Sequence, residues 1–400
     1  MPVQHVRRPR PRRTSARRLL TGVVAVLALA LSATPALADG HGRGDHGRKL
    51  TVMTRNLYLG GDITRPLTAV QGITDPTAAL VAFANANDEL RTIVDRTDFP
   101  SRSELLAREI AHSKPDLVGL QEVALWRSGP LELTRVGLAN AETVDYDFLA
   151  ILLDDLARRH QPYEAVQVQQ EADVEGPAFR GVPGQPGFAD PRDVRLTMRD
   201  VILRRVGSDA KVEAVGGANY ATRLDVPLGG ATFSFIRGYG FADVLLDGQR
   251  LRFVNTHLES QFSGIALQQA AELLAGPAAV TGRPLVVVCD CNSDPLDPST
   301  KPGDPTPHFA PYRLLTGAGG LTDEWLQFAP AEEGFTSGLS ELVNDADTSG
   351  IDHRIDMVFA RRAGGSAVPA DHGRITGLDR QTDEGLWASD HAGVVLRLRT

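Results

Sequence analysis

Eight side chains of this 400-residue sequence have the types and spacing that metal and acid–base chemistry require, each at the polar end of an apolar run. Asn56 closes Leu50-Thr51-Val52-Met53-Thr54-Arg55-Asn56, where an amide can orient a carboxylate or an anionic oxygen. Glu122 follows Asp116-Leu117-Val118-Gly119-Leu120-Gln121, and a carboxylate in that place can hold a hard divalent cation or simply be a solvated strand end. His257 comes after Leu251 to Thr256. Asp290 and Asn292 follow Leu285 to Val288; two residues apart on an extended chain, they should point to one face. An ionised Asp beside an amide can take a proton from water and hold that water in line. Asp356 heads Met357-Val358-Phe359, and Ser389-Asp390-His391 puts an acid next to a histidine. A carboxylate can fix a histidine's tautomer and raise its basicity.

The runs that carry these residues read as strands over 50–56, 116–122, 200–204, 251–257, 285–290 and 355–360, and polar strand ends suggest a site along one sheet edge. Helical patterns fall at 78–94, 104–112, 148–160 and 265–274, with Ser101 and Glu104 spaced as a capping box. Asp247-Gly248 between two apolar runs predicts a hairpin. The Gly-, Pro- and Asp-rich segment 171–193 reads as a long surface insertion. A second, 294–311, has five prolines in its first fourteen residues. Loops of this kind often border a substrate cleft. No internal repeat is visible, and strand patterns resume on both sides of each insertion, so one domain is expected over 49–400.

The order Asn, Gln-Glu, Asn-x-His, Asp-x-Asn, Ile-Asp, Ser-Asp-His, each at a strand end, resembles the endonuclease/exonuclease/phosphatase superfamily of metal-dependent phosphoester hydrolases. The resemblance spans 49–400. It implies a four-layer α/β sandwich of the DNase I-like kind, two packed mixed sheets flanked by helices with the site at one end. It implies Mg²⁺, or Mn²⁺ or Ca²⁺ in its place, held by Glu122 with Asn56 and Asp390. Asp290 and Asn292 would position or activate the attacking water. His391, paired with Asp356, would contact the phosphoryl group or act as base, and His257 would stabilise the phosphate or protonate the leaving oxygen. Asp200 would orient His257, as an acid does in the deoxyribonuclease branch.

Where that superfamily usually has Gly and an aromatic or aliphatic residue around the central Asp, this chain has its only two cysteines, Cys289 and Cys291. The expectation is a pair of small buried side chains, because an extended chain opposes a bond between residues two apart. Asp345, Asp347 and Asp352 offer a second cation site, with solvent exposure the plainer role.

Composition bounds the rest. At 42% hydrophobic, 23% charged and mean hydropathy −0.15, the chain can bury a sizeable core, which excludes fibrous and wholly disordered classes. Residues 1–18 carry seven arginines and no acid, 19–33 are mostly apolar, and Ala36-Leu37-Ala38 offers a small-x-small cleavage site, the layout of a secretory leader. Cleavage near Ala38 would leave a flexible linker over 39–48 and an extracellular, monomeric protein. It would remove seven positive charges from a net −8 and leave −15, which argues against coating nucleic acid by bulk basicity. Three phosphoester substrates stay open. A nuclease would need its phosphate-holding groove built from the 31 remaining arginines. A sphingomyelinase-like lipid phosphodiesterase would need exposed rings such as Trp126, Phe179, Phe188 and Phe309. An enzyme for small phosphoesters needs only a compact pocket. An inactive binding module is the alternative outside enzymes.

Overall fold

The computed structural model describes residues 48–228 and 231–400; the leader and nearly all of the linker lie outside them. Two mixed sheets stack face to face. The first has the order β15 (Ala370–Thr376), β16 (Gly393–Arg399), β1 (Lys49–Asn56), β2 (Leu117–Gln121), β6 (Ala189–Arg205), β3 (Leu125–Pro130), β4 (Thr143–Asp147), with β5 (Tyr163–Arg180) also paired to β6. The second runs β13 (Thr322–Asp323), β14 (Asp356–Arg361), β12 (Leu285–Asp290), β11 (Gln249–His257), β10 (Gly238–Leu246), β7 (Lys211–Asn219). A short ribbon, β8 (Leu224–Leu228) with β9 (Ala231–Phe235), stands apart. Helices α2 (Pro76–Arg96), α3 (Phe99–Ser113) and α4 (Phe148–Arg158) pack on the first sheet's outer side, and the short α1 (Arg65–Ala69) packs against α2. Helices α5 (Ser263–Ala275) and α6 (Ala310–Thr316) cover the second, and α7 (Glu324–Phe328) packs at the β14 and β15 edge. This is the four-layer α/β sandwich that the sequence predicts.

Strand periodicity sorts the side chains among the layers. Leu50 and Val52 of β1, Leu251 and Phe253 of β11, Val286 and Val288 of β12, and Val358 and Ala360 of β14 fill the core between the sheets. The alternate residues, such as Met53, Val254, Val287 and Phe359, pack under the helices. Because side chains alternate strictly along a strand, the same parity carries Asn56, His257, Asp290 and Asp356 to the inter-sheet side, at the end where the apolar core stops. Sheet register aligns three of them. His257 is opposite Asp290 across the parallel β11–β12 pair, and Asp290 is opposite Asp356 across the antiparallel β12–β14 pair. At Gly119 the sheets approach so closely that a Cβ would sit 2.3 Å from Val288 Cγ2 and 2.5 Å from Asn255 Oδ1. Asn255 in turn accepts from Gln121 Nε2 (2.7 Å) and donates to the Leu120 carbonyl (2.9 Å), a polar tie between the layers.

Several local expectations are corrected. Segment 171–193 is mostly sheet: β5 and β6 pair along most of their length, leaving only 181–188 as the connecting loop. Pro177 is tolerated because β5 pairs on one side alone, where a missing N–H costs no ladder bond. Ser101 and Glu104 do not form a capping box. Helix α3 begins earlier, at Phe99 with Pro100 in its first turn, and Ser101 donates to Asp98 at the N-cap. Asp345 and Asp347 cap turns at Ser340 and Ser349 rather than facing one another. The Asp247-Gly248 hairpin joins β10 to β11 as expected. Segment 294–309 is free of helix and strand apart from one isolated bridge.

Candidate active site

Asp290 is the hub. Its Oδ2 accepts from Asn56 Nδ2 at 2.9 Å and lies 3.3 Å from His257 Nε2 and 3.9 Å from His391 Nε2. Its Oδ1 accepts the Asn292 N–H (3.1 Å). Asn292 is not on the extended strand, as the spacing suggests, but just past it in the left-handed region (φ 43°), and this turn brings its amide 3.0 Å from His257 Nε2. The same bend corrects the cysteine expectation. Two residues of extended chain span about 6.6 Å, whereas Cys289 and Cys291 have Cα atoms 5.1 Å apart and are joined by a disulfide that straddles Asp290. Both are fully buried, as expected.

The two histidines are held in opposite states. His391 Nδ1 is 2.8 Å from Asp356 Oδ2, and its Nε2 is 4.0 Å from Asp390 Oδ1. Burial opposes a charged ring there, but Asp356, Asp390 and Asp290 around it raise His391 well above its ordinary value. His257 Nδ1 faces Arg237 Nη1 at 2.9 Å. A guanidinium has only donors, so Nδ1 must accept, and the ring proton belongs on Nε2, facing Asp290. Burial and then Arg237 hold His257 well below its usual range, in the neutral form.

Asp200 therefore does not orient His257. Both of its carboxylate oxygens are buried without a hydrogen-bond partner, and Arg237, immediately before β10, takes the position at the ring. Arg237 also lies 4.0 Å from the buried Glu171, which is pushed up to about 7 chiefly by burial. Burial likewise raises Asp200, with Glu171 adding to it.

Glu122 leaves the end of β2 with a left-handed backbone (φ 56°), and its Oε2 accepts the Leu59 N–H at 2.8 Å. It lines a cavity of about 150 Å³ together with Asp390, Tyr58 and Arg237. Asn56 Oδ1 already accepts the Tyr58 N–H (2.8 Å). The fit to a divalent cation can be judged from the donors alone. Burial raises Asp290 and Asp390, with repulsion from neighbouring acids adding to it, and Asp356 Oδ1 is buried with no partner. Asp290 and Asp356 bring carboxylate oxygens within 4.8 Å of each other and of His391, whose charged ring has no lone pair to offer a cation. So many carboxylates in so little water fit a hard cation, with Glu122 and Asp390 the acids that face open space.

Three arginines that sequence reasoning missed hold these pieces in place. Arg237 is one. Arg55 donates to the His391 carbonyl and to Glu109. Arg102, fully buried, donates to the carbonyls of Leu57 (2.9 Å), Tyr58 (3.1 Å) and Ala388 (2.9 Å), tying the chain after β1 to the segment before Asp390. An arginine at a strand end or in a helix carries no mark of burial, so no local signal picks these out.

Neither a protein-family model nor a curated protein matches the chain. Solved structures do. Humanized D. rerio TDP2 is 16% identical, with 88% of this chain and 99% of that one covered and a TM-score of 0.48. An endonuclease/exonuclease/phosphatase from Beutenbergia cavernae is 21% identical over 88% and 72%, at 0.48. A mannosyl-6-phosphatase from Bacteroides thetaiotaomicron is 16% identical over 87% and 99%, at 0.47. The Beutenbergia protein bears the name of the superfamily that the ordered motifs resemble. At these identities no activity carries over from any of them.

Proposed function

We propose that the chain is a divalent-metal-dependent phosphoester hydrolase of the endonuclease/exonuclease/phosphatase type. The observation that carries this reading is the convergence on Asp290 of Asn56, His257, Asn292 and His391, with Glu122 and Asp390 in the adjoining cavity. Glu122 and Asp390, with Asn56 beside them, would hold Mg²⁺, which would polarise a phosphoryl oxygen and offset charge in the transition state. Asp290, its carboxylate fixed by Asn56 and by the Asn292 N–H, orients the attacking water and accepts its proton. His391, charged by its pairing with Asp356, donates from Nε2 to a phosphoryl oxygen. His257 stays neutral and donates from Nε2, so the site stabilises added negative charge from both sides.

The geometry favours a compact ester over a polymer or a lipid. Among the described residues, Arg237 is the only arginine lining either cavity at the site, and most of the others that pair do so with acids elsewhere. Among the described residues, neither cavity gathers the several arginines that a nuclease groove would need. Trp126 and Phe179 are buried in the core, against the expectation of exposed rings for a lipid surface, and Phe188 packs on Phe179. Among the described residues no helix is long and apolar enough to cross a membrane. Export is part of the proposal: the arginine-rich leader pattern and a disulfide beside the site both suit an oxidising compartment.

Hydrolysis of simple phosphomonoesters and phosphodiesters, plasmid DNA, RNA and sphingomyelin, with Mg²⁺ and with EDTA, tests the reading. Turnover of small esters that EDTA stops is expected. Turnover indifferent to EDTA, or none on any substrate, would overturn it.

A further inference from the structure

A second and larger cavity, about 330 Å³, opens against the same strand ends. Chain neighbours of the catalytic side chains form its inner wall: Ser260 lies three residues past His257, Asn292 two past Asp290, and Ile355 immediately before Asp356. Ser337 is bridged to His391 through the backbone. Ser260 lines both cavities, so the two share a wall. With the metal-binding acids in the smaller space, a phosphoryl group between Glu122 and Asn292 has the larger one for whatever is esterified to it.

That space is lined by groups that both donate and accept. Hydroxyls come from Ser260, Ser263, Ser299 and Ser337, and imidazoles from His308 and His353. Each imidazole has an acid beside it, His308 Nδ1 3.3 Å from Asp297 and His353 bonded to Asp352, while Lys301 Nζ donates only to the neutral Ser260 carbonyl (2.8 Å). Burial lowers His308 and favours its neutral ring. Among the described residues Lys301 is the one lining cation without an acid beside it, fewer than the cluster that a second phosphate would need. Among the described residues no phenyl, phenol or indole ring lines the space, and the two imidazoles are the only planar faces there for a nucleobase. Ile355 is the single aliphatic side chain, too little for an acyl chain. Ligand pockets run from about 300 to 1,000 Å³, so this one suits about one sugar-sized ring.

We propose that this cavity is the leaving-group subsite and that the substrate is the phosphate ester of a small polyhydroxylated alcohol, a sugar or polyol. The proposal rests on the phosphoester-hydrolase reading. For a monoester, water oxygen bonds to phosphorus, the bond from phosphorus to the alcohol oxygen breaks, and that oxygen leaves with a proton, giving inorganic phosphate and the free polyol. The cavity binds the alcohol through hydroxyl-matched hydrogen bonds, so the preference should appear in KM.

The test compares hexose 6-phosphate, inositol monophosphate, p-nitrophenyl phosphate and a short DNA oligonucleotide as substrates of the full protein with Mg²⁺, using Lys301→Ala and Ser299→Ala as variants. The expected result is kcat/KM at least tenfold higher on a polyol ester than on p-nitrophenyl phosphate. Each variant should raise KM for the polyol ester about tenfold, at least fivefold more than it raises KM for the p-nitrophenyl ester. Equal kcat/KM on both small esters, variants that slow both alike, or the oligonucleotide as best substrate would overturn the subsite. A wild-type protein inert toward every ester would instead overturn the hydrolase reading beneath it.

Discussion

Asp290 is buried against Asp356 and flanked by two histidines, so keeping its carboxylate ionised costs stability. Asp290→Asn can keep one oxygen as acceptor for Asn56, gives up the oxygen that accepts the Asn292 N–H, and removes the repulsion with Asp356. It is expected to lower kcat by about 10³ while leaving Tm unchanged or higher, as measured by steady-state kinetics beside thermal unfolding. A variant that lost stability in proportion to activity would show the residue to be structural. At this scale much of the site was legible in the sequence, because a polar side chain at the end of an apolar strand is a local signal. Asn56, Glu122, His257, Asp290, Asn292, Asp356, Asp390 and His391 all lie at the end of the sheets. What was not legible is which distant residue faces which ring. Arg237 rather than Asp200 meets His257 because the pairing depends on how β10 and β6 stack, and neither strand's own sequence encodes that.

Strand ends carry the site, so the spacing of the sheets and the turn after β12 govern it. Gly119→Ala would drive a methyl into Val288 and Asn255. We expect a loss of about 2–3 kcal/mol in chemical denaturation, with activity falling as the Gln121–Asn255 tie is disturbed; unchanged stability would mean the sheets are free to separate there. The Cys289–Cys291 bond closes a very short loop, so chain entropy gives it little to stabilise, about 1–2 kcal/mol. Replacing both cysteines with alanine should therefore cost little in Tm but several-fold in kcat, because Asp290 and Asn292 lose a fixed turn between them. Equal activity in the double variant would show that the backbone holds this turn without the bond. Central strands were read closely, β12 to the residue, because continuous apolar runs between polar ends have few alternatives. Of the long β5–β6 pair only 200–204 was read as strand, since the Gly, Pro and Asp content of 171–193 imitates a loop and only pairing with a partner strand makes it regular. The disulfide escaped for a related reason: a bend after Asp290 shortens a distance that strand geometry makes too long.

Over the whole molecule, buried acid sets how stability varies with pH. Burial pushes Glu324 up from its usual 4.5 to about 8. Between those values the folded protein keeps a proton that the unfolded chain has released, so stability falls as pH rises through this window and is fullest below it. Glu324→Gln should remove part of that slope and raise Tm by about 1–3 °C at pH 9, with little change at pH 4.5; an equal effect at both values would refute the assignment. The acids at the site add to the chain's negative charge, and a bound cation would locally reverse the field they create. That cation is the centre of the account. The most direct test is the initial rate of p-nitrophenyl phosphate hydrolysis as Mg²⁺ is titrated into EDTA-treated protein, wild type against Glu122→Gln. The account predicts no activity without metal, saturable recovery in the wild type, and at least a tenfold higher Mg²⁺ requirement in the variant. Full activity before any Mg²⁺ is added, or the same titration curve for both proteins, would contradict it.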